Sequence, residues 1–205
     1  MEKQQFLEDQ VKLPSPVFKE VQDYANSRDF PIISDQVGQQ LQIFASFYQY
    51  PMVLELGSGF GYSAMWFAQG MSDGELHLCD FSTENIHLAY DYLDEIDKSD
   101  LIHSSHIGNA LDYFNETDKN FDIIFIDIDK LYYLDAIKIA SQRLNPNGMI
   151  IMDNLFFGGR VYLDDGKKKR GRESILDSIE FLKKDPRFFI SMIDIADGLL
   201  LAKLK

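Results

Sequence analysis

Apolar positions along the chain divide it near Pro51. Before that point, residues 1–30 mix acidic, amide and aromatic side chains, and Pro14 and Pro16 interrupt any long helix. Short helices are expected there, with residues 1–34 forming an N-terminal helical extension. Ser34 suits a helix N-cap, and Val37, Leu41, Phe44, Ala45 and Tyr48 then recur at near-helical spacing. From residue 52 the pattern becomes short apolar runs alternating with longer amphipathic ones. Strands are expected at 52–56, 75–80, 101–107 (the weakest), 121–127, 149–153, 188–193 and 199–204. Helices are expected to carry Ala64 to Ala68, Ile86 to Leu93, Lys130 to Leu144 and Glu173 to Lys184, with a short one after Gly108. Asn145-Pro146-Asn147-Gly148 reads as a tight connection, and residues 158–172 as a surface excursion.

Continuous apolar strands alternating with helices indicate an α/β fold with a doubly wound, mostly parallel sheet, because both faces of such strands must be covered. A length of 205 residues suits one domain spanning 1–205. The formal net charge of -13 opposes broad attraction to a phosphate backbone, so DNA is not an expected partner. The single cysteine, Cys79, cannot form an internal disulfide and is expected in the core. No run reaches transmembrane length and the first residues lack the apolar stretch of a secretion signal, so a cytoplasmic protein without membrane contact is expected.

Two groups of residues carry chemistry. The first is Glu55-Leu56-Gly57-Ser58-Gly59-Phe60-Gly61-Tyr62-Ser63, where a strand turns into a helix. Glycines there allow unusual dihedrals and close ligand approach, and the helix start exposes backbone donors. Gly57, Gly59 and Gly61 are spaced Gly-x-Gly-x-Gly, which differs from the usual dinucleotide pattern. Asp80 closes the next strand and would lie beside that turn, where its carboxylate can accept from ribose hydroxyls. Asn109 either contacts an adenine edge or caps the following helix. Ser63 and Glu55 lie near the same edge, close to the amino-acid part of a nucleoside cofactor.

The second group is Asp127-Ile128-Asp129-Lys130 together with Asp153-Asn154. Both segments end apolar strands and therefore share one sheet edge. Several uncompensated carboxylates are costly there, and a cation held by Asp127, Asp153 and the Asn154 oxygen would relieve the repulsion. Oxygen ligands favour Mg2+, or Mn2+ or Ca2+, over zinc. Asp129 fits a helix cap. Lys130 either orients a carboxylate or acts as a general base.

Taken together, these segments resemble the small cation-dependent class I O-methyltransferases, the group of the catechol and caffeoyl-coenzyme A enzymes. The resemblance covers roughly residues 28–205. It rests on Val37-Gly38-Gln39-Gln40-Leu41, the glycine segment from Leu54 to Ser63, Phe125 to Lys130, Asp153-Asn154 and Asp197-Gly198-Leu199, the last resembling a late strand near the substrate pocket. It implies a Rossmann-like, seven-stranded sheet with an antiparallel last strand, and a homodimer. It implies S-adenosyl-L-methionine held by the glycine turn, with Asp80 on the ribose, Ser63 on the methionine end and Glu55 supporting the pocket. Asp127 contributes both to the cofactor pocket and, with Asp153 and Asn154, to a magnesium site, and Lys130 is the candidate base. Asn109 departs from the Asp of many bacterial relatives. The implied reaction methylates a hydroxyl of a hydroxylated aromatic small molecule, catechol-like in class.

A tRNA bearing a 5-hydroxyuridine is the alternative acceptor. Lys167, Lys168, Lys169, Arg170 and Arg172 would then meet phosphate, or else form a solvated loop. Phe156, Phe157 and Tyr162 would line a phenol or base pocket, or only pack the loop. A nicotinamide-dependent oxidoreductase would use the glycine turn and Asp80 but leaves the paired carboxylates unexplained. A noncatalytic binding module is the remaining reading.

Overall fold

In a computed structural model that describes residues 3–163 and 170–205, the chain is built around a single seven-stranded sheet. Its strands are β1 (Met52–Leu56), β2 (Glu75–Asp80), β3 (Ile102–Ile107), β4 (Phe121–Ile126), β5 (Leu144–Met152), β6 (Phe188–Ile193) and β7 (Leu199–Leu204). Their spatial order is β3-β2-β1-β4-β5-β7-β6. Pairs among β1 to β5 are parallel, and β7 runs antiparallel to both β5 and β6. The described helices are α1 (Lys3–Asp9), α2 (Pro16–Ser27), α3 (Asp35–Ala45), α4 (Tyr62–Gln69), α5 (Thr83–Glu95), α6 (Ala110–Glu116), α7 (Tyr133–Ala140) and α8 (Arg172–Lys184).

Side chains alternate across a strand, so each central strand feeds two cores. Val53, Leu76, Leu78, Ile123, Phe125 and Ile151 face a layer that includes Phe18, Leu41, Trp66 and Leu93. Leu54, Leu56, Cys79, Ile124, Ile126 and Ile150 face the layer of Tyr113, Ile137, Ile175 and Leu182. Burial on both faces explains why these strands read as unbroken apolar runs. Cys79 is buried in the second layer. The edge strand β3 instead alternates half-buried and exposed residues, which accounts for its weaker signal.

Caps set several boundaries. Pro16 occupies the first turn of α2, and the Ser34 and Ser82 side chains accept from Val37 N and Asn85 N to open α3 and α5. Two expectations need correction. The segment Lys130–Leu144 is not one helix: Lys130–Tyr132 is a 3-10 turn, and α7 ends at Ala140. The chain must leave the helix there because the Arg143 carbonyl accepts from Phe121 N, already joining the sheet. The tight connection at 145–148 also lies inside β5, since Leu144 pairs with Phe121 and Met149 with Ile123. Four residues therefore bulge opposite one, and Asn147 turns at φ 61°. Among the described residues, no helix is long and apolar enough to cross a membrane.

Candidate active site

Strand ends β1, β2, β4 and β5 converge on one edge of the sheet, and backbone pairing continues past them. Gly57 N and Ser58 N both donate to the Cys79 carbonyl at 2.9 Å, Asp127 N to Leu56 O at 2.9 Å, and Asp153 N to Ile126 O at 3.1 Å. The sheet order reverses between β1 and β4, where a doubly wound sheet opens a crevice for a ligand. Gly57 crosses the end of β4 at φ +89°, and a Cβ there would stand 2.0 Å from the Asp127 carbonyl oxygen. No other residue permits that crossing. Gly59 N donates to Asp80 Oδ2 at 3.0 Å, and Asp80 Oδ1 accepts from Ser82 N at 2.8 Å and Asn85 Nδ2 at 2.9 Å. The Asp80 carboxylate is thus held in place, with acceptor capacity left for a ligand.

A cavity of about 260 Å³ opens over this edge. Gly57, Ser58, Gly59, Ser63, Asp80, Asp127, Ile128 and Lys130 line it, which brings the glycine turn and the Asp127–Lys130 segment into one site. Five of the expected residues are not in its lining: Glu55, Asp153 and Asn154 lie behind Ser63, Asp127 and Lys130, and Gly61 and Asn109 serve helix packing and capping. Gly61 packs against α5, where a Cβ would approach Ala89 Cβ to 2.7 Å. Asn109 is exposed and caps α6, its Oδ1 accepting from Leu111 N at 3.1 Å. The cap reading of Asn109 is thus observed, and its amide nitrogen takes no part in it.

Phe30, Pro31, Ile32 and Ile33 form the opposite wall of the cavity. Sequence reasoning missed this strap. The one available signal was an apolar run directly before the Ser34 cap, a position that packs onto its helix. Phe30 rests on Phe60 with ring centroids 4.6 Å apart. Beside it, the Tyr62 hydroxyl donates to Asp35 Oδ1 at 2.5 Å, and Gln22 Nε2 reaches both Asp35 Oδ1 and the Tyr62 oxygen. This knot ties α2 and α3 to the first turn of α4.

Glu55 is fully buried beneath the cavity, and neither carboxyl oxygen makes a well-formed hydrogen bond. Burial raises its pKa to about 8; the nearby Ser63 hydroxyl works against the rise and the Asp127 charge adds to it. A cationic group bound above Ser63 would reverse that balance.

On the other flank, Lys130 Nζ donates to Asp127 Oδ1 at 3.0 Å, to Asn154 Oδ1 at 2.5 Å and to the Ile128 carbonyl at 3.3 Å. It also sits 5.1 Å from the centroid of the Tyr133 ring. Asp153 is buried next to this group. Desolvation, then the Asp127 charge, lifts its pKa to about 7, while the Asn154 backbone and Lys130 pull it down. Asn154 adopts φ +52°, a left-handed conformation that asparagine tolerates better than most residues. Asp129 caps the 3-10 turn by accepting from Leu131 N, as its position implied. Among the described residues, no three His, Cys, Asp or Glu side chains converge to hold a metal. The oxygen set here is two carboxylates and one amide.

Lys167, Lys168 and Lys169 lie outside the described residues. Arg170 is exposed, and Arg172 Nε donates to the Val161 carbonyl at 3.3 Å. Phe156 packs against Tyr162 with centroids 5.7 Å apart, and the Arg160 guanidinium lies 4.6 Å over the Phe157 ring. These aromatic residues are not among those lining the cavity.

A sheet in this strand order, with an antiparallel β7 between β5 and β6 and a glycine turn at the switch point, is the architecture of the class I methyltransferases. The pattern of the O-methyltransferase family matches residues 12–205, and the chain belongs to that family. A protein of Arabidopsis thaliana whose name places it among the caffeoyl-CoA O-methyltransferases is 30% identical over 191 residues, 89% of this chain and 82% of the relative. An O-methyltransferase from Bacillus cereus, solved in complex with SAH, superposes with a TM-score of 0.86 at 26% identity, covering 98% of this chain and 96% of that one. The Streptomyces achromogenes O-methyltransferase involved in tomaymycin synthesis, solved with SAM, shares the fold at a TM-score of 0.89 and 22% identity over 100% of both chains.

Proposed function

We propose that this O-methyltransferase transfers a methyl group from S-adenosylmethionine to a hydroxyl oxygen of a catechol-like small molecule, with a divalent cation at Asp127, Asp153 and Asn154. The observation that carries the reading is Lys130 Nζ bridging Asp127 and Asn154 beside the buried Asp153, with Lys130 and Asp127 lining the same cavity as Asp80.

The residues present fit the cofactor. Asp80 is fixed where it accepts from ribose hydroxyls, and the backbone of Gly57 and Gly59 leaves room for close approach. Ser63 and Asp127 line the cavity where the cationic amino group of a methionine end would sit, and the Glu55 carboxyl buried beneath Ser63 supports that charge from behind. Gly61 acts indirectly, by seating α4 on α5. They also fit a hard cation, because Asp127 and Asp153 repel each other in a poorly solvated place and Asn154 adds a neutral oxygen.

Bound S-adenosylmethionine supplies an electrophilic methyl on a positively charged sulfur. A divalent cation supplies Lewis-acid stabilisation of negative charge on the acceptor oxygen. The chain's own task is positioning and proton transfer. Lys130, in its neutral form, takes the hydroxyl proton at Nζ as the carbon–oxygen bond forms and the carbon–sulfur bond breaks. Asp127 and Asn154 hold that amine in place, and the Phe30–Ile33 strap keeps water from the reacting atoms.

The test is methyl transfer from labelled S-adenosylmethionine to 1,2-dihydroxybenzene before and after verified removal of divalent metal, with a hydroxylated tRNA as competing acceptor. Activity should vanish with the metal and return with Mg2+. Unchanged transfer by the metal-free protein refutes the cation, and transfer to the tRNA alone refutes the acceptor class.

A further inference from the structure

We propose that Asp197 is a positioning residue: its carboxylate fixes the turn that follows Asn154, so that Asn154 presents its side-chain oxygen to the Lys130–Asp127 pair. This rests on the reading of Asn154 as part of the reaction centre.

The turn after β5 is an unusual stretch of backbone. Asn154, Phe157, Gly158 and Gly159 all have positive φ, at 52°, 49°, 59° and 80°. Two of these are not glycine, and such residues hold this conformation only where their surroundings impose it. Within the turn, Phe157 N donates to the Asn154 carbonyl at 3.0 Å. The remaining restraint comes from the loop before β7. There Leu155 N donates to the Gly198 carbonyl at 2.9 Å and Phe156 N to the Asp197 carbonyl at 2.8 Å. Asp197 Oδ1 then reaches across to accept from Gly158 N at 2.8 Å.

Asp197 therefore holds two points of the turn, one by its backbone and one by its side chain. Between them lies Phe157, a left-handed non-glycine residue. Its neighbour Gly198, at φ +84°, lets the loop approach so closely that a Cβ would stand 2.7 Å from the Phe156 ring. The arrangement clamps the segment one residue beyond Asn154, while Asp153 N anchors the residue before it to β4. Asn154 is thus fixed from both sides, and its oxygen lies 2.5 Å from Lys130 Nζ. Asp197 makes none of the hydrogen bonds to Lys130; its charge also reaches the Asp153 carboxyl, and Asp197→Asn, which keeps an acceptor oxygen and loses the charge, separates that effect from the one passing through Asn154.

The experiment compares Asp197→Ala and Asp197→Asn with the parent protein by four readouts. These are amide hydrogen exchange at residues 154–158, Mn2+ affinity by electron spin resonance, S-adenosylmethionine affinity by calorimetry, and the melting temperature. In Asp197→Ala, exchange at Gly158 and Phe157 should speed up and Mn2+ affinity should fall by about tenfold or more, the usual effect of losing a group that orients a ligand. S-adenosylmethionine affinity should stay at the parent value. Asp197→Asn retains an acceptor oxygen and should restore both exchange and Mn2+ affinity. Parental exchange and Mn2+ binding in Asp197→Ala overturn the proposal. So does joint loss of Mn2+ and cofactor affinity with a lowered melting temperature, because that marks a general fold role. If the parent binds no Mn2+, the cation reading fails, and exchange at 154–158 alone decides whether Asp197 holds the turn.

Discussion

Gly59→Ala separates cofactor binding from folding, with Gly57→Ala as the contrasting variant. At Gly59 the backbone has φ +52°, inside the left-handed region open to ordinary residues at roughly 1–2 kcal/mol. The added methyl meets only the Phe30 ring, at 3.2 Å, and a small tilt of that ring relieves the contact. Folding stability should fall by about 1–2 kcal/mol. The methyl nevertheless sits on a residue that lines the cavity, next to the amide donating to Asp80. A displaced adenosine that loses one hydrogen bond to the ribose should bind about tenfold more weakly, since 1.4 kcal/mol is a factor of ten. At Gly57, the new Cβ would lie 2.0 Å from the Asp127 carbonyl oxygen and 2.9 Å from its carbon. Those are backbone atoms at the end of a central strand and cannot tilt away. Strain and overpacking add there to about 3 kcal/mol or more. Urea denaturation with and without S-adenosylmethionine, together with calorimetric affinity, measures both quantities. Gly59→Ala should keep the parental denaturant slope and lose affinity, whereas Gly57→Ala should lose both stability and binding. Parental affinity in Gly59→Ala, or equal stability of the two variants, refutes the reasoning.

Lys130→Met should bind S-adenosylmethionine normally and lose turnover by about 10²–10⁴-fold, the span of general-base catalysis; single-turnover kinetics checks this. Tyr62→Phe removes the hydroxyl that meets Asp35 and Gln22 and should cost about 1 kcal/mol, with faster proteolysis of the strap at 30–33 as the structural readout. Burial holds His77 neutral, with its pKa down from 6.5 to about 4 despite a hydrogen bond it donates to Glu75 that works the other way, so only the unfolded chain takes up its proton as pH falls from 6.5 to 4 and stability drops by up to about 3 kcal/mol across that window. Denaturation of the parent and of His77→Gln from pH 7 to pH 4 tests this, and an identical slope in both proteins counts against it.

The chain's own pattern was enough to locate most strands, because β1, β4 and the later part of β5 are buried on both faces and show as apolar runs. It also placed Asp80, Asp127 and Asp153 at strand ends, and in a parallel sheet all such ends share one edge. Residue type then carried the chemistry: three glycines at a strand-to-helix turn, and oxygen ligands beside a lysine. Local signals failed where a tertiary partner outweighed them. Asn145 to Gly148 has turn chemistry, yet pairing on both sides of it absorbs it into β5 as a bulge. Gly61 has the spacing of a loop glycine, yet its lack of a side chain is used by α5.

What the sequence determined by itself was therefore periodicity and chemistry: the alternation of strand and helix, the covered sheet, and the acidic and glycine residues at its edge. Only the tertiary structure decided which distant segments close that edge into a site. The Phe30–Ile33 strap shares one cavity with Gly59 and Lys130, Asp197 reaches Gly158, and Asn109 caps α6. Those contacts join residues far apart in the chain and depend on packing geometry across the whole sheet, which no window of local sequence encodes.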